Sequence, residues 1–320
     1  MKTLRLLFAL LACMLLAGHA TAQFPNKTIH LIVPSGPGGA PDIRARQIAP
    51  LLAQAVGQPV VVENKTGAQG MIGAREAAKA APDGHTLFLG NGQLVLSDLL
   101  NPDPTFRGVR EFDPITAVTA GPLLWVASAT LEACTLGEGV ALARLKPGRL
   151  TYASQGPGSF GQLAALMVEQ AAGISMLEVP YKTGAQEFPD LISGEIATSF
   201  AFYSAVLPHL QSGRVRALAV ASQQRLAVLP QVPTFAEAGL PGVEAKGWQG
   251  IFVPAGTPKE VIARLHQELA RIFSLPEIRD PWIATGAEIG GNTPEQFAAY
   301  IRDETERWGK LIRERGITVK

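Results

Sequence analysis

The chain alternates short apolar runs with helical stretches over most of its length, and this constrains the fold more than any other feature. Residues 28–33 form such a run, closed by Pro34, and a Gly/Pro loop at 35–41 follows. Ile43, Ile48, Leu51, Leu52 and Val56 then fall on one helical face, with Pro50 predicting a kink or early break. The pattern continues with a strand at 60–62, a helix at 71–80 and a strand at 86–89. It resumes with strands at 123–128, 150–153, 176–179, 199–202 and 217–220 and a helix at 160–172. Apolar runs this short suit strands buried on both faces, so the alternation predicts an α/β chain with doubly wound sheets.

Two late helices carry start signals. Thr257-Pro258-Lys259-Glu260 and Thr293-Pro294-Glu295-Gln296 each predict a Thr N-cap, Pro in the first turn and an acid or amide three residues on. Their stripes, Val261/Leu265/Leu269/Ile272 and Phe297/Ile301/Glu304/Trp308/Leu311, read as core packing, the second with one polar step.

The first 22 residues read as a secretory signal: Lys2 and Arg5, an apolar run over residues 6–17, and Ala20-Thr21-Ala22 predicting cleavage after Ala22. The run is short for a bilayer span, which takes about 20 residues. Cys13 lies inside it rather than after it, against lipidation. Removing the leader turns the net charge of +1 into −1, with 26 basic and 27 acidic residues, and leaves Cys134 as the one cysteine. Near-neutrality argues against nucleic acid, and one cysteine excludes an internal disulfide. Cys134 is expected to be a small semi-buried residue of a helical stretch. At about 100–200 residues per domain, the 320 residues suggest two domains.

Three loops could carry chemistry. Ser35, Gly36, Pro37, Gly38, Gly39 and Asp42 lie between a strand and a helix, where free N–H groups and the helix N-terminus favour an anion. A tight turn without a ligand is the alternative, and no Gly-Lys-Ser/Thr ending makes the loop a phosphate cradle. Ser154, Gln155, Gly156, Pro157, Gly158, Ser159, Phe160 and Gly161 match G-x-G-x-x-G, and Glu178 falls near the place of a ribose-binding acid. The same geometry serves any small anion, and an exported protein meets little dinucleotide. Asn91, Gly92 and Gln93 offer amides to a ligand oxygen, or form a surface turn. Lys182, beside Tyr181, is either a partner for an acidic ligand or an exposed lysine. His30, His85, His209 and His266 have no metal spacing, and Ser159 lacks the nucleophile-elbow glycine, so no catalytic set, metal or cofactor is expected.

Ordered motifs extend this reading. They include Ile32-Val33-Pro34 with Pro37-Gly38-Gly39 and Asp42, then Gly57-Gln58-Pro59-Val60-Val61-Val62-Glu63-Asn64, then Pro82-Asp83-Gly84-His85-Thr86-Leu87. Tyr152-Ala153-Ser154, Val179-Pro180-Tyr181-Lys182, Leu207-Pro208-His209-Leu210, Val232-Pro233-Thr234, Glu237-Ala238-Gly239 and Pro254-Ala255-Gly256-Thr257-Pro258 follow in order. Over the whole mature chain this resembles the Bug-type (TctC-like) solute receptors of tripartite tricarboxylate transporters. The resemblance implies a periplasmic, non-enzymatic, monomeric receptor of type II Venus-flytrap fold with two crossovers. Residues 23–120 plus 248–320 would form one domain and 121–247 the other. A small carboxylate in the cleft would be delivered to membrane permease subunits; a ligand-sensing receptor for a membrane signalling protein is the alternative, and a dinucleotide-dependent oxidoreductase the more distant one. The loops at 35–42 and 154–162 would hold the ligand from either side.

Three positions depart from the family pattern. Gln162 stands where a His is common, Ala201 where an Asp is common, and Asn91-Gly92-Gln93 replaces a Thr/Ser-rich turn followed by His. Loss of that acid weakens the case for a ligand bearing an amino group, and Phe160, Phe202 and Tyr203 point to a more apolar, aromatic or aliphatic, acid.

Overall fold

A computed structural model describes residues 24–100, 105–182 and 184–317. The leader call, the cleavage after Ala22 and Cys13 lie outside the described residues. Strands β1 (Ile29–Val33), β2 (Val60–Asn64) and β3 (Thr86–Asn91) alternate with helices α1 (Ala40–Val56), α2 (Met71–Ala78) and α3 (Gln93–Leu100). Strand β4 (Phe112–Ser128) leads to α4 (Leu136–Leu145), β5 (Thr151–Ser154), α5 (Phe160–Ala172) and β6 (Leu177–Pro180). Then come α6 (Phe188–Ser193), β7 (Thr198–Phe202), α7 (Tyr203–Gln211) and β8 (Val215–Val220). The chain ends with β9 (Lys246–Pro254), α8 (Lys259–Ser274), α9 (Pro276–Ala284), β10 (Glu288–Ile289) and α10 (Pro294–Arg315).

The strands form two sheets that share β4. In the first the order is β2-β1-β3-β9-β4, with β10 beside β4; in the second it is β6-β5-β7-β4-β8. Pairing is parallel where strands alternate with helices, β1 with β2 and β3, and β5 with β6 and β7. It is antiparallel wherever β4 or β9 takes part. Residues 112–122 of β4 run against β9, from Phe112 opposite Pro254 to Pro122 opposite Lys246, and residues 123–128 run against β7 and β8. The switch falls at Gly121-Pro122. Proline has no N–H to donate, so Pro122 leaves one donor missing from the ladder at the place where the chain changes sheets. The sequence reading placed a strand only over 123–128 and none over β9.

Alternation puts one face of β1 (Ile29, Leu31, Val33) against Ala45, Ile48 and Leu52 of α1 and against α8, through Val261, Leu265, Leu269 and Ile272. In β4 Leu123, Trp125 and Ala127 face one hydrophobic cluster, which also takes in Phe88, Phe252 and Trp308, and Leu124 and Val126 face another, so this strand is buried on both sides. Trp125 stacks on Phe200 with ring centroids 5.7 Å apart.

Three sequence readings need correction. Helix α1 runs through Pro50 without a break, because Ile48 and Leu52 beside it are fully buried while Pro50 is exposed. That packing outweighs the roughly 3 kcal/mol cost of an interior proline. Thr257 does not cap α8; its hydroxyl donates to the Pro254 carbonyl at 2.7 Å, and Pro258 takes the N-cap. Cys134 is exposed and lies before α4, because Thr135 forms a capping box with Glu138 and starts the helix at Leu136. Thr293 caps α10 as read, and buried Glu304 is satisfied by Trp308 Nε1 at 3.0 Å and by Arg307.

The close approach of β10 gives a stability prediction. A Cβ on Gly290 would sit 1.9 Å from the Ala117 carbonyl oxygen, whereas one on Gly137, exposed in α4, meets nothing within 4 Å. Gly290→Ala should cost about 1–3 kcal/mol of unfolding free energy, and Gly137→Ala should add about 0.5–1 kcal/mol; urea unfolding of the two variants checks both signs.

Candidate ligand-binding cleft

Between the two sheets lies a cavity of about 370 Å³. Its floor is the crossover pair, Thr119 to Pro122 of β4 and Gly247 to Gln249 of β9. The first lobe contributes Ala40, Pro41 and Arg44 from the start of α1, together with Gln69, Asn91 and Gln93. The second contributes Gln155, Ser159, Phe160, Lys182, Phe202, Tyr203 and Ser204, and Thr285 to Ala287 close the remaining side. The N-termini of α1 and α5 therefore both open on the cavity, each supplying free N–H groups and the positive end of a helix dipole. Arg44 and Lys182 are the charged side chains among the lining residues, and no carboxylate is.

The lobes touch across the cavity mouth. Gln69 Nε2 donates to the carbonyls of Gln155 and Pro157, and Gln93 Nε2 donates to that of Gly158, each at 3.4 Å. Phe160 meets Trp308 of α10 edge-to-face at 5.6 Å. A Cβ on Gly92 would lie 2.5 Å from Phe160 and 3.1 Å from Trp248 Nε1, so this close approach requires glycine.

Of the residues singled out in the sequence, Asn91, Gln93, Gln155, Ser159, Phe160, Lys182, Phe202 and Tyr203 line the cavity. The others are brought to the same region but not to its wall. Ser35, Gly36, Pro37, Gly38 and Gly39 precede the wall residues Ala40 and Pro41, and Asp42 is turned back to hold them. Its carboxylate accepts from Gly38 N at 2.9 Å, Arg46 Nε at 3.0 Å and Asn64 Nδ2 at 2.9 Å. Arg46 and the Gly38 amide bring the Asp42 carboxyl down to about 2. Asn64 also donates to the Ser35 carbonyl at 2.9 Å.

The second loop is braced in the same way. Ser154 Oγ donates to Glu178 at 2.5 Å and accepts from Gly156 N at 2.8 Å. Gln162 accepts from Gly158 N at 2.7 Å and donates to the other Glu178 oxygen at 3.0 Å. Ser154, Gly158 and Gln162 thus shape the loop instead of lining the cavity. Both Glu178 oxygens are occupied inside the protein, so the acid that a dinucleotide reading would assign to a ribose is engaged elsewhere. Tyr181 turns away too: its hydroxyl donates to Asp190 at 2.5 Å, and burial together with that acid pushes it up to about 12. Ala201 packs into the second lobe's core.

Arg44, Gln69, Ser204, the crossover residues and Thr285 to Ala287 were missed. Arg44 follows Pro41 by one helical turn, and that period was the signal available for it. Gln69 adopts a φ of 54°, following Ala68 at 46°, a conformation that local sequence does not announce. The crossover residues arrive through long-range pairing.

Behind the second loop, buried Glu187 accepts from Ser199 Oγ at 2.7 Å and from Gln155 Nε2 at 3.1 Å, holding a cavity-lining amide. Burial pushes the Glu187 carboxyl up to about 7 against an ordinary 4.5. The folded state then binds the proton more tightly than the unfolded one, so unfolding free energy falls as pH rises from about 4.5 to about 7 and levels off above. Glu187→Gln should remove that slope, gaining on the parent protein by at most about 3 kcal/mol between pH 5 and pH 8; chemical denaturation at the two pH values measures it.

Comparison with known proteins identifies the family. Residues 44–317 match the family model TctC, the tripartite tricarboxylate transporter family receptor. The chain is 33% identical to the protein BugT of Bordetella pertussis over 299 residues, covering 93% of this chain and 92% of that one. A solved structure of R. palustris Rpa4515 with adipate shares 30% identity at a TM-score of 0.83, over 92% of this chain and 99% of that one. MatC (Rpa3494) from Rhodopseudomonas palustris with bound malate shares 30% identity at a TM-score of 0.81, over 90% and 100%. The fold is that of the two-domain periplasmic binding proteins, and the chain belongs to the TctC family of tripartite tricarboxylate transporter receptors.

Proposed function

We propose that this chain is an exported receptor, not an enzyme, that captures a small organic carboxylate between its lobes and delivers it to the permease subunits of a tripartite tricarboxylate transporter. One observation carries the reading: an interlobe cleft of about 370 Å³ whose charged wall groups are the cations Arg44 and Lys182. Two helix N-termini add to the same potential. With a net charge of −1 on the exported chain, attraction for acids must come from this local arrangement and not from the surface at large. Phe160, Phe202, Tyr203 and Trp248 in the wall favour an acid with an apolar, aliphatic or aromatic body. The bound adipate and malate of the two structural relatives are acids of suitable size.

The domains are residues 23–120 plus 248–320 and residues 121–247, joined by β4 and β9, and closure is a hinge motion at Gly121-Pro122 and its partner strand. The leader is cleaved after Ala22 and the mature receptor works as a monomer in the periplasm.

A thermal-shift screen of aliphatic and aromatic mono- and dicarboxylates, with amines and neutral amides beside them, tests this. An acid at about 100 times its Kd should stabilise the protein by about 2.7 kcal/mol, a rise of several degrees in Tm. Stabilisation by amines or neutral amides with none by any acid would overturn the proposal.

A further inference from the structure

The geometry points to Arg44 as the residue that sets ligand specificity, by pairing its guanidinium directly with a carboxylate of the bound acid. The inference rests on the receptor reading above and assigns the charge recognition to one side chain. Arg44 and Arg46 lie two residues apart on α1 and have opposite surroundings. Arg46 is neutralised by Asp42 and also donates to Asn64. Arg44 lines the cavity and donates to the neutral Gln249 Oε1 at 3.1 Å, on the crossover strand. Its guanidinium carbon lies 5.8 Å from the centre of the Trp282 ring, and Trp282 is itself fixed by Nε1 donating to Gln47 at 2.8 Å.

The cation is therefore aimed and half-buried but not neutralised. Burial lowers its pKa from the ordinary guanidinium value, and among the described residues no acidic group acts against that shift. Holding such a charge near the positive end of a helix works against folding. The arrangement makes physical sense once an anion enters the cavity, where the planar fork can grip a carboxylate through two N–H groups. Lys182 is exposed on the opposite lobe and has no comparable bracing among the described residues, so its contribution is the smaller one.

The test is isothermal titration of the wild-type protein, Arg44→Gln and Arg44→Lys with adipate, malate, benzoate and terephthalate, each beside its fully amidated analogue. For every acid the wild type binds, Arg44→Gln should weaken binding about 10- to 100-fold, the range expected for loss of a charge-assisted hydrogen-bonded pair. Arg44→Lys should recover part of that loss, and amide binding should change less than about threefold. Unchanged acid affinity in Arg44→Gln would overturn the inference and leave the receptor reading standing. Equal loss for acids and amides would assign Arg44 a purely structural role through Gln249 and Trp282, and would also overturn it. A wild-type protein that binds amides but none of the four acids would contradict the receptor reading itself.

Discussion

The antiparallel pairing of β4 with β9 is the constraint on which the rest of the structure depends. One strand of the pair carries the chain out of the first sheet and the other brings it back, so both lobes hang from a single ladder. The same ladder is the cavity floor, through Thr119 to Pro122 and Gly247 to Gln249. Under the proposed closure, the floor is also the hinge. A ligand resting on it touches both lobes, and any rotation about Gly121-Pro122 changes the spacing between the α1 and α5 N-termini above it. The proposed capture and closure would be coupled because the same few residues serve both.

The polar residues around the cleft are sorted by charge. Each glycine loop is braced from behind by an acid: buried Asp42 holds the Gly38 amide, partly buried Glu178 acts through Ser154 and Gln162, and buried Glu187 holds the Gln155 side chain. The front of the cleft has cations, amides and aromatic rings. The acids give the loops their shape without spending cavity surface on negative charge. An anionic ligand therefore meets pre-oriented N–H groups and helix ends, and repulsion from these carboxylates is weakened because their oxygens are already hydrogen-bonded.

Much of this was legible in the sequence. Short apolar runs announced the strands, Thr293 announced the cap of α10, and the glycines of both loops announced the sites where helix N-termini open on the cleft. Eight of the singled-out residues, from Asn91 to Tyr203, reach the wall. Position in a loop did not reveal which way a side chain faces: Asp42, Gln162 and Tyr181 have the chemistry of ligand contacts but satisfy internal donors or acceptors instead. Pro50 misled because local propensity was outweighed by the burial of Ile48 and Leu52. Strand β9 and the first half of β4, interrupted by Pro114, Gly121 and Pro122, lack a clean apolar period, and their pairing joins residues more than 120 positions apart. The parts of the site made by such pairing leave no local trace.

A crystal structure of the protein bound to the acid that stabilises it most in solution tests the central claim most directly, because it locates the charge. The expected result is one carboxylate within hydrogen-bond distance of Arg44, the body of the acid against Phe160 and Trp248, and its far end at the loop carrying Ser159. An acid bound outside the interlobe cavity, or inside it with Arg44 turned away and no cation within 4 Å of its carboxylate, would contradict the proposed recognition.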